Sequence, residues 1–318
     1  MATTLLLNKV PTRDMSREAW LALRRQSIGG SDAAGIVGLS KWASPYSVWA
    51  EKTGRLPEQP DNEAMRQGRD LEDYVAHRWT EETGRTCRRE NKILYNPQYP
   101  WAHANVDRLV VGAREGLECK TTSALDLRTF KDVEFPEQYY VQCVHYLAVT
   151  GLERWHLAVL VFGRGFYCYT LERDQAEIDA LMDAEEAFWH LVETDTPPAV
   201  DGTDATTAAL KTMFSKSNSN CVDLFGREAL LREYCQIKSR QKELGIRLTE
   251  IENTIKADMG EADSGICDNF KISWKTQVRK TFQVKSFADD HPAIDLSGYY
   301  QQTLSRPFKV TQQREMRP

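Results

Sequence analysis

Apolar positions alternate between two rhythms before residue 195. At residues 16–27, Trp20, Leu21 and Leu23 follow Ser16, a plausible N-cap, and predict a helix that Gly29-Gly30 breaks. Ser31-Asp32 reads as the cap of a short second helix through Ala33, Ile36 and Val37. Ser44-Pro45 opens a third, with proline at its first position, and Gly54 ends it. In residues 62–83, Met65, Leu71, Val75 and Trp79 fall near helical spacing, and Gly84 closes the helix. From Pro136 to Thr150, Val141, Val144 and Leu147 turn inward, while Gln142 and Tyr146, four apart, share a face. Strand patterns occupy residues 92–120. Others run from Trp155 to Phe162 and from Phe166 to Leu171, around the turn Gly163-Arg164-Gly165, before a helix over 174–194. Strands interspersed with helices predict an α/β domain, a mixed sheet flanked by helices, over residues 1–200.

Beyond residue 195 the pattern changes. Thr196-Pro197-Pro198, Asp201-Gly202, a Thr/Ala run and Ser215-Lys216-Ser217-Asn218-Ser219-Asn220 read as an extended connector, with the linker proper at 201–222. Then Leu230, Tyr234, Ile237, Gln241, Leu244, Leu248, Ile251 and Ile255 alternate steps of four and three, a heptad seam with one polar core position, Gln241. Gly260 ends it, and short strands are predicted near 270–275 and 281–284. Residues 223–318 thus form a helical/β C-terminal appendage.

The densest chemistry lies in residues 105–120. Val106, Leu109, Val110 and Val111 are strand formers, and Gly112 and Gly116 punctuate a turn before Leu117-Glu118-Cys119-Lys120. A hairpin here puts Asp107 and Glu118 on facing strands. Alternation places Glu118 and Lys120 on one face, with Cys119 pointing away. Two carboxylates offer a divalent cation the hard oxygen donors it prefers, and an ammonium offsets charge on a scissile phosphate. A strand-edge Glu-x-Lys with no chemistry has the same spacing. His103 and His145, without soft partners, read as structural or surface residues.

Composition adds bounds. The chain has 318 residues, 41% hydrophobic and 27% charged, enough for one large domain or a core domain with an appendage. No apolar run approaches the roughly 20 residues of a membrane span, and residues 1–10 lack a basic leader with a long apolar core. Seven scattered cysteines contain no Cys-x-x-Cys pair, which points to a reducing cytoplasm. A net charge of −5 does not advertise nucleic-acid binding, so any such site must be a local basic lining. Arg13, Arg17, Arg24 and Arg25 form one basic cluster. Arg85, Arg88 and Arg89 form a second that reads as solvated surface.

Five pieces occur in order: Trp20…Arg24…Ile28-Gly29-Gly30-Ser31, Gly68-Arg69-Asp70-Leu71-Glu72, Asn105-Val106-Asp107, Leu117-Glu118-Cys119-Lys120, and Gln142…Tyr146. Together they resemble the PD-(D/E)XK nuclease superfamily and, within it, the lambda-exonuclease/YqaJ branch of phage recombination nucleases. Val106 stands where the superfamily often has proline. The resemblance implies a restriction-endonuclease-like core. It implies Mg²⁺, with Mn²⁺ as a substitute, held by Asp107, Glu118 and the backbone carbonyl of Cys119. Lys120 would position or activate water, Gln142 would bond a phosphate or that water, and Glu72 would serve as an outer carboxylate acting through water. Arg24 and Ser31 would hold a DNA 5′-phosphate with Trp20 at the duplex end. Asn105, Gln142 and Tyr146 would contact DNA, although Tyr146 also reads as a satisfied core tyrosine. The implied activity is 5′–3′ digestion of one strand of duplex DNA from its end, giving 3′ single strands to a phage-type annealing protein. Ring trimers occur in this branch. A structure-specific or restriction-like endonuclease, or a catalytically silent DNA-end-binding scaffold, are the alternatives.

Overall fold

The computed structural model describes residues 7–58, 61–123, 135–303 and 305–311. The expectation about residues 1–10 falls partly outside them, at residues 1–6. The chain divides into two units, Met1–Phe214 and Ser215–Pro318.

The first unit opens with β1 (Asn8–Pro11), α1 (Arg17–Arg25), β2 (Ile28–Gly29), α2 (Gly30–Ile36), α3 (Pro45–Lys52) and α4 (Glu63–Thr83). Strands β3 (Cys87–Arg89), β4 (Lys92–Tyr95), β5 (Ala102–Asn105), β6 (Arg108–Val110) and β7 (Glu115–Thr122) follow. Helix α5 (Glu137–Thr150), β8 (Arg154–Val161), β9 (Gly165–Glu172), α6 (Gln175–Glu193) and α7 (Asp204–Met213) complete it. Ser16 and Gly84 cap as the sequence signals, and Asn62 caps the start of α4. Ser16 accepts from the Ala19 N–H, Asn62 from Met65, and Gly84 closes α4 at φ +67°. The start of α2 differs from expectation. Its N-cap is Gly29, and Asp32, at the third position, reaches back to the Gly29 N–H at 2.9 Å. Ser31 therefore lies inside the helix.

Five strands form the sheet β3-β6-β7-β8-β9, in which β7 and β8 run parallel and the other pairs antiparallel. A parallel neighbour requires a crossover, and α5 lies in the connection between β7 and β8. Val75, Ala76 and Trp79 of α4 pack with Val110, Leu117 and Ala158. Val144 and Leu147 of α5 pack with Trp155 and with Ala33 and Ala34 of α2. This is the mixed α/β sheet flanked by helices that the patterning predicts. A second sheet has the order β1-β4-β5-β2, antiparallel except that β2 runs parallel to β5.

Two details depart from the sequence reading in this unit. Gly116 is not a turn residue: it lies in β7, where an added Cβ would sit 2.4 Å from the Trp155 ring. The turn glycine is Gly112, at φ +78°. The connector expected from residue 195 onward is helical at α7, with Thr206 and Ala209 buried. Ser44 Oγ and Thr206 Oγ1 are hydrogen-bonded at 2.7 Å, and Ala209 packs with Ile28, Trp49 and Phe188. The first unit thus runs on to Phe214.

The second unit contains α8 (Glu228–Met259), the hairpin β10 (Ser264–Cys267) and β11 (Phe270–Ser273), and the short α9 (Val284–Asp290). The expected strand at 281–284 is absent: the hairpin partner of 270–273 is 264–267, on the near side of a two-residue turn. No described helix is long and apolar enough to cross a membrane.

Candidate active site

The β6–β7 hairpin pairs Arg108 with Leu117, so Asp107 falls opposite Glu118. Asp107 Oδ2 accepts the Cys119 N–H at 2.8 Å. Glu118, 2% exposed, accepts from Lys120 Nζ at 2.5 Å and from Gln142 Nε2 at 2.8 Å, both on Oε1. The Cys119 side chain turns to the other face, against the α4 cluster. Asp107, Glu118 and Lys120 therefore converge as strand alternation requires.

Their charges are unbalanced. Burial and the facing Glu118 push the Asp107 carboxyl well above the usual carboxylate range. Burial opposes the charge on Lys120, but Glu118 and Asp107 outweigh it and hold the ammonium protonated, its pKa raised. Glu118 Oε2 is buried without a hydrogen-bond partner among the described residues. An orphaned buried carboxylate oxygen facing a second, half-buried carboxylate suits a divalent cation. No cluster of three His, Cys, Asp or Glu side chains suited to a metal occurs among the described residues. The donor set is two carboxylates, the number Mg²⁺ commonly takes while it keeps several waters.

Helix α5 braces this centre. Gln142 Nε2 donates to Glu118 and to the Tyr146 hydroxyl at 2.8 Å, and that hydroxyl donates to the Asn105 carbonyl at 3.1 Å. Tyr146 is 4% exposed, with its ring 4.9 Å from that of Trp155. Both side chains, expected to contact DNA, hold protein partners in this structure. The Tyr146 hydroxyl is satisfied inside the core, and the Gln142 amide N–H groups are committed to Glu118 and Tyr146. Both side chains orient the carboxylate from within.

Arg24, Ser31 and Trp20 also come together. An Arg24 guanidinium nitrogen donates to Ser31 Oγ at 2.7 Å, and the guanidinium lies 4.8 Å from the Trp20 ring centroid. This group packs close to the residues around Glu118 through Gly30, where an added Cβ would meet Tyr146 at 2.6 Å and Gln142 at 3.2 Å. A cleft of about 420 Å³ is lined by Trp20, Arg17, Arg69, Glu72, Asn105 and Asp107. Glu72 thus reaches the same cleft, where it pairs with Arg108; burial first, then Asp107, push its carboxyl up.

Sequence reasoning missed two charged side chains, Arg108 and Lys52, and read Asp32 only as part of a cap. Arg108 is buried and bonds Glu72, Asp73 at 2.6 Å and the Asp107 carbonyl at 2.7 Å. Lys52 and Asp32 form a buried pair at 2.6 Å beneath Arg24. Lys52 also donates to the carbonyls of Arg24 at 2.7 Å and Ser27 at 2.9 Å, so it anchors the end of α1. Only Asp32 had a local signal, its third position in a helix start. The two histidines are structural. His145 lies between Glu185 and the His103 carbonyl, and burial lowers the His103 pKa to about 3. Arg85, Arg88 and Arg89 pair with Glu115, Glu90 and Asp73.

Asp32→Asn is expected to destabilise the fold by about 3–5 kcal/mol, because it strands a buried ammonium. Burial alone would raise the Asp32 pKa, but Lys52 and Arg24 hold its carboxyl well below the usual range. The stabilisation is therefore present above the ordinary value of 3.8 and is lost only as pH falls below it. Urea unfolding at pH 7 and pH 5.5 should give the same difference between variant and parent.

The YqaJ-like viral recombinase domain family model matches residues 19–153, which include every residue singled out above from Trp20 to Tyr146. The uncharacterized protein YqaJ of Bacillus subtilis (strain 168) is 39% identical over 287 residues, covering 88% of this chain and 90% of that protein. The chain belongs to the YqaJ family. Among solved structures, this YqaJ-family chain is similar to an alkaline exonuclease from Laribacter hongkongensis. The two share 24% identity, with a TM-score of 0.48 over 56% of this chain and 94% of that one. A phage related exonuclease from Haemophilus somnus 129PT shares 11% identity, with a TM-score of 0.42 over 55% and 99%.

Proposed function

We propose that this chain is a divalent-metal-dependent exonuclease that digests one strand of duplex DNA from its 5′ end. The observation that carries this reading is the buried Glu118 carboxylate with its orphaned oxygen, facing the half-buried Asp107 and flanked by the Lys120 ammonium. Family membership supports it, since the family is that of YqaJ-like viral recombinase domains. A cation held by Asp107, Glu118 and the Cys119 carbonyl, Mg²⁺ or Mn²⁺, supplies Lewis-acid stabilisation of the scissile phosphate. Lys120 orients the attacking water and offsets charge that grows on the phosphate. Gln142 fixes the Glu118 carboxylate. Arg24, whose planar fork suits a phosphate, and Ser31 hold the terminal 5′-phosphate, with Trp20 against the last base pair. The product is a 3′ single strand, the substrate of a phage-type annealing protein. This chemistry is assigned to the first unit.

The test is digestion of linear duplex labelled at one end, with and without Mg²⁺, beside covalently closed circular duplex. Metal-dependent loss of the 5′-labelled strand with intact circles is expected, and cut circles would make the chain an endonuclease instead. Within the same assay, 5′-phosphorylated duplex should be degraded about tenfold faster than the hydroxyl-ended form, the worth of one charge-assisted contact. Arg24→Ala should erase most of that ratio. Equal rates on both ends in the parent protein would count against the phosphate pocket.

A further inference from the structure

The second unit carries a basic, aromatic stretch after α8. Residues 269–288 hold five cationic side chains, Lys271, Lys275, Arg279, Lys280 and Lys285, and no acidic one, in a chain whose net charge is −5. All five are exposed, and none makes a salt bridge among the described residues. Unneutralised cations at this density attract a polyanion. Aromatic side chains are interleaved with them. Phe270 and Trp274 each precede a lysine, and Phe282 and Phe287 each stand two residues after one.

The end of this stretch builds a cleft. Phe282 and Phe287 meet with ring centroids 5.1 Å apart. With Ile294, Leu296, Tyr299 and Tyr300 they line a space of about 390 Å³. Its rim is open: Phe282, Tyr299 and Tyr300 are 67%, 85% and 66% exposed. Rings this exposed add little to folding and offer flat π surfaces to a ligand. The acidic side chains that follow in sequence are Asp289 and Asp290, at the end of α9, and Asp295. Asp295 is committed to the Ser297 N–H at 2.8 Å and the Ser297 hydroxyl at 2.9 Å, which fixes the turn leading to the tyrosines.

The combination of cations and open rings selects the occupant. A second copy would set the same five cations against one another. An acidic peptide would neutralise the cations and leave the rings bare. A bilayer takes up an apolar face laid flat on it, whereas this apolar surface is concave. Duplex DNA supplies phosphates, but each of its base faces is covered by a neighbour. A single strand alternates phosphates with uncovered flat bases and so uses both features.

We propose that the second unit binds single-stranded nucleic acid: unpaired bases stack on Phe282, Tyr299 and Tyr300, while Lys280 and Lys285 meet the phosphates. This does not depend on the chemistry assigned to the first unit. Where that chemistry holds, the 3′ single strand it leaves is such a ligand.

The test titrates the full chain, in EDTA so that nothing is cut, with labelled oligo(dT) and oligo(rU) of about 20 nucleotides and a blunt duplex of equal length. Tyr299→Ala and Tyr300→Ala should each weaken oligo(dT) binding by about tenfold, the worth of one stacked base. Lys280→Gln with Lys285→Gln should lower the slope of log K against log salt by about 1.4, two phosphate contacts on a single strand. Duplex binding and the circular dichroism of every variant should be unchanged. Oligo(dT) carrying a photoactivatable thymidine should cross-link within residues 269–300. The tighter of oligo(dT) and oligo(rU) names the sugar. Tyrosine variants that bind oligo(dT) as the parent does would overturn the inference. So would cross-links confined to Met1–Phe214, or equal loss of duplex and single-strand binding in the same variants. Loss of binding to phosphatidylserine vesicles with oligo(dT) binding intact would make the cleft a lipid site instead.

Discussion

Glu118→Ala is expected to lower cleavage of linear duplex in Mg²⁺ by on the order of 10³-fold or more, since it removes a metal donor and the anchor of Lys120 together. The fold should survive. Glu118 faces the half-buried Asp107, and one of its own oxygens has no partner among the described residues, so its removal relieves repulsion as well as breaking two hydrogen bonds. Glu118→Gln separates these effects. It keeps the shape and an acceptor for Gln142, loses the charge, and should be equally inactive yet melt higher than the parent without metal. Duplex binding by anisotropy in Ca²⁺, whose longer and looser coordination misplaces the reacting groups, should stay within about threefold of the parent. Normal turnover by purified Glu118→Ala protein would falsify the assignment of this carboxylate.

Lys120→Ala should cut the single-turnover rate by about 10²–10³-fold, some 3–4 kcal/mol of transition-state stabilisation, while the duplex Kd barely moves. The asymmetry follows from the timing of its interaction. The ammonium is already neutralised by Glu118 in the resting protein and does most where phosphate charge grows. Lys120→Met tests packing, because Nζ also lies 5.7 Å over the Tyr139 ring, and it should be as slow as Lys120→Ala. A variant with a weakened Kd and an unchanged single-turnover rate would reduce Lys120 to a phosphate contact.

The parts of this protein legible in its sequence are those set by neighbours along the chain. A strand repeats every two residues, so Glu118 and Lys120 had to share a face once β7 formed, and a tight turn set Asp107 across from Glu118. Helix starts and stops at Ser16, Asn62 and Gly84 are written in caps. The α8 seam is written in its four-three spacing, because a helix brings such residues into line without help from elsewhere. The tertiary structure decided the rest. Gln142 and Tyr146 sit four apart on α5, which sequence shows, but which way that face looks depends on a sheet built from other segments. The contact of Gly30 with Tyr146 then commits both side chains to bracing Glu118 from inside. Gly116 looked like turn punctuation until Trp155, from a different strand, occupied the space a side chain would need. Residues 204–213 looked like linker because their composition is polar and small. Docking against Ser44, 162 residues earlier, makes them a helix of the first unit. Lys52 gave no signal because a lysine near a helix end is ordinarily solvated. What buries it is the coincidence of Asp32 and two carbonyls, and desolvating a charge is tolerable only where such partners converge in three dimensions.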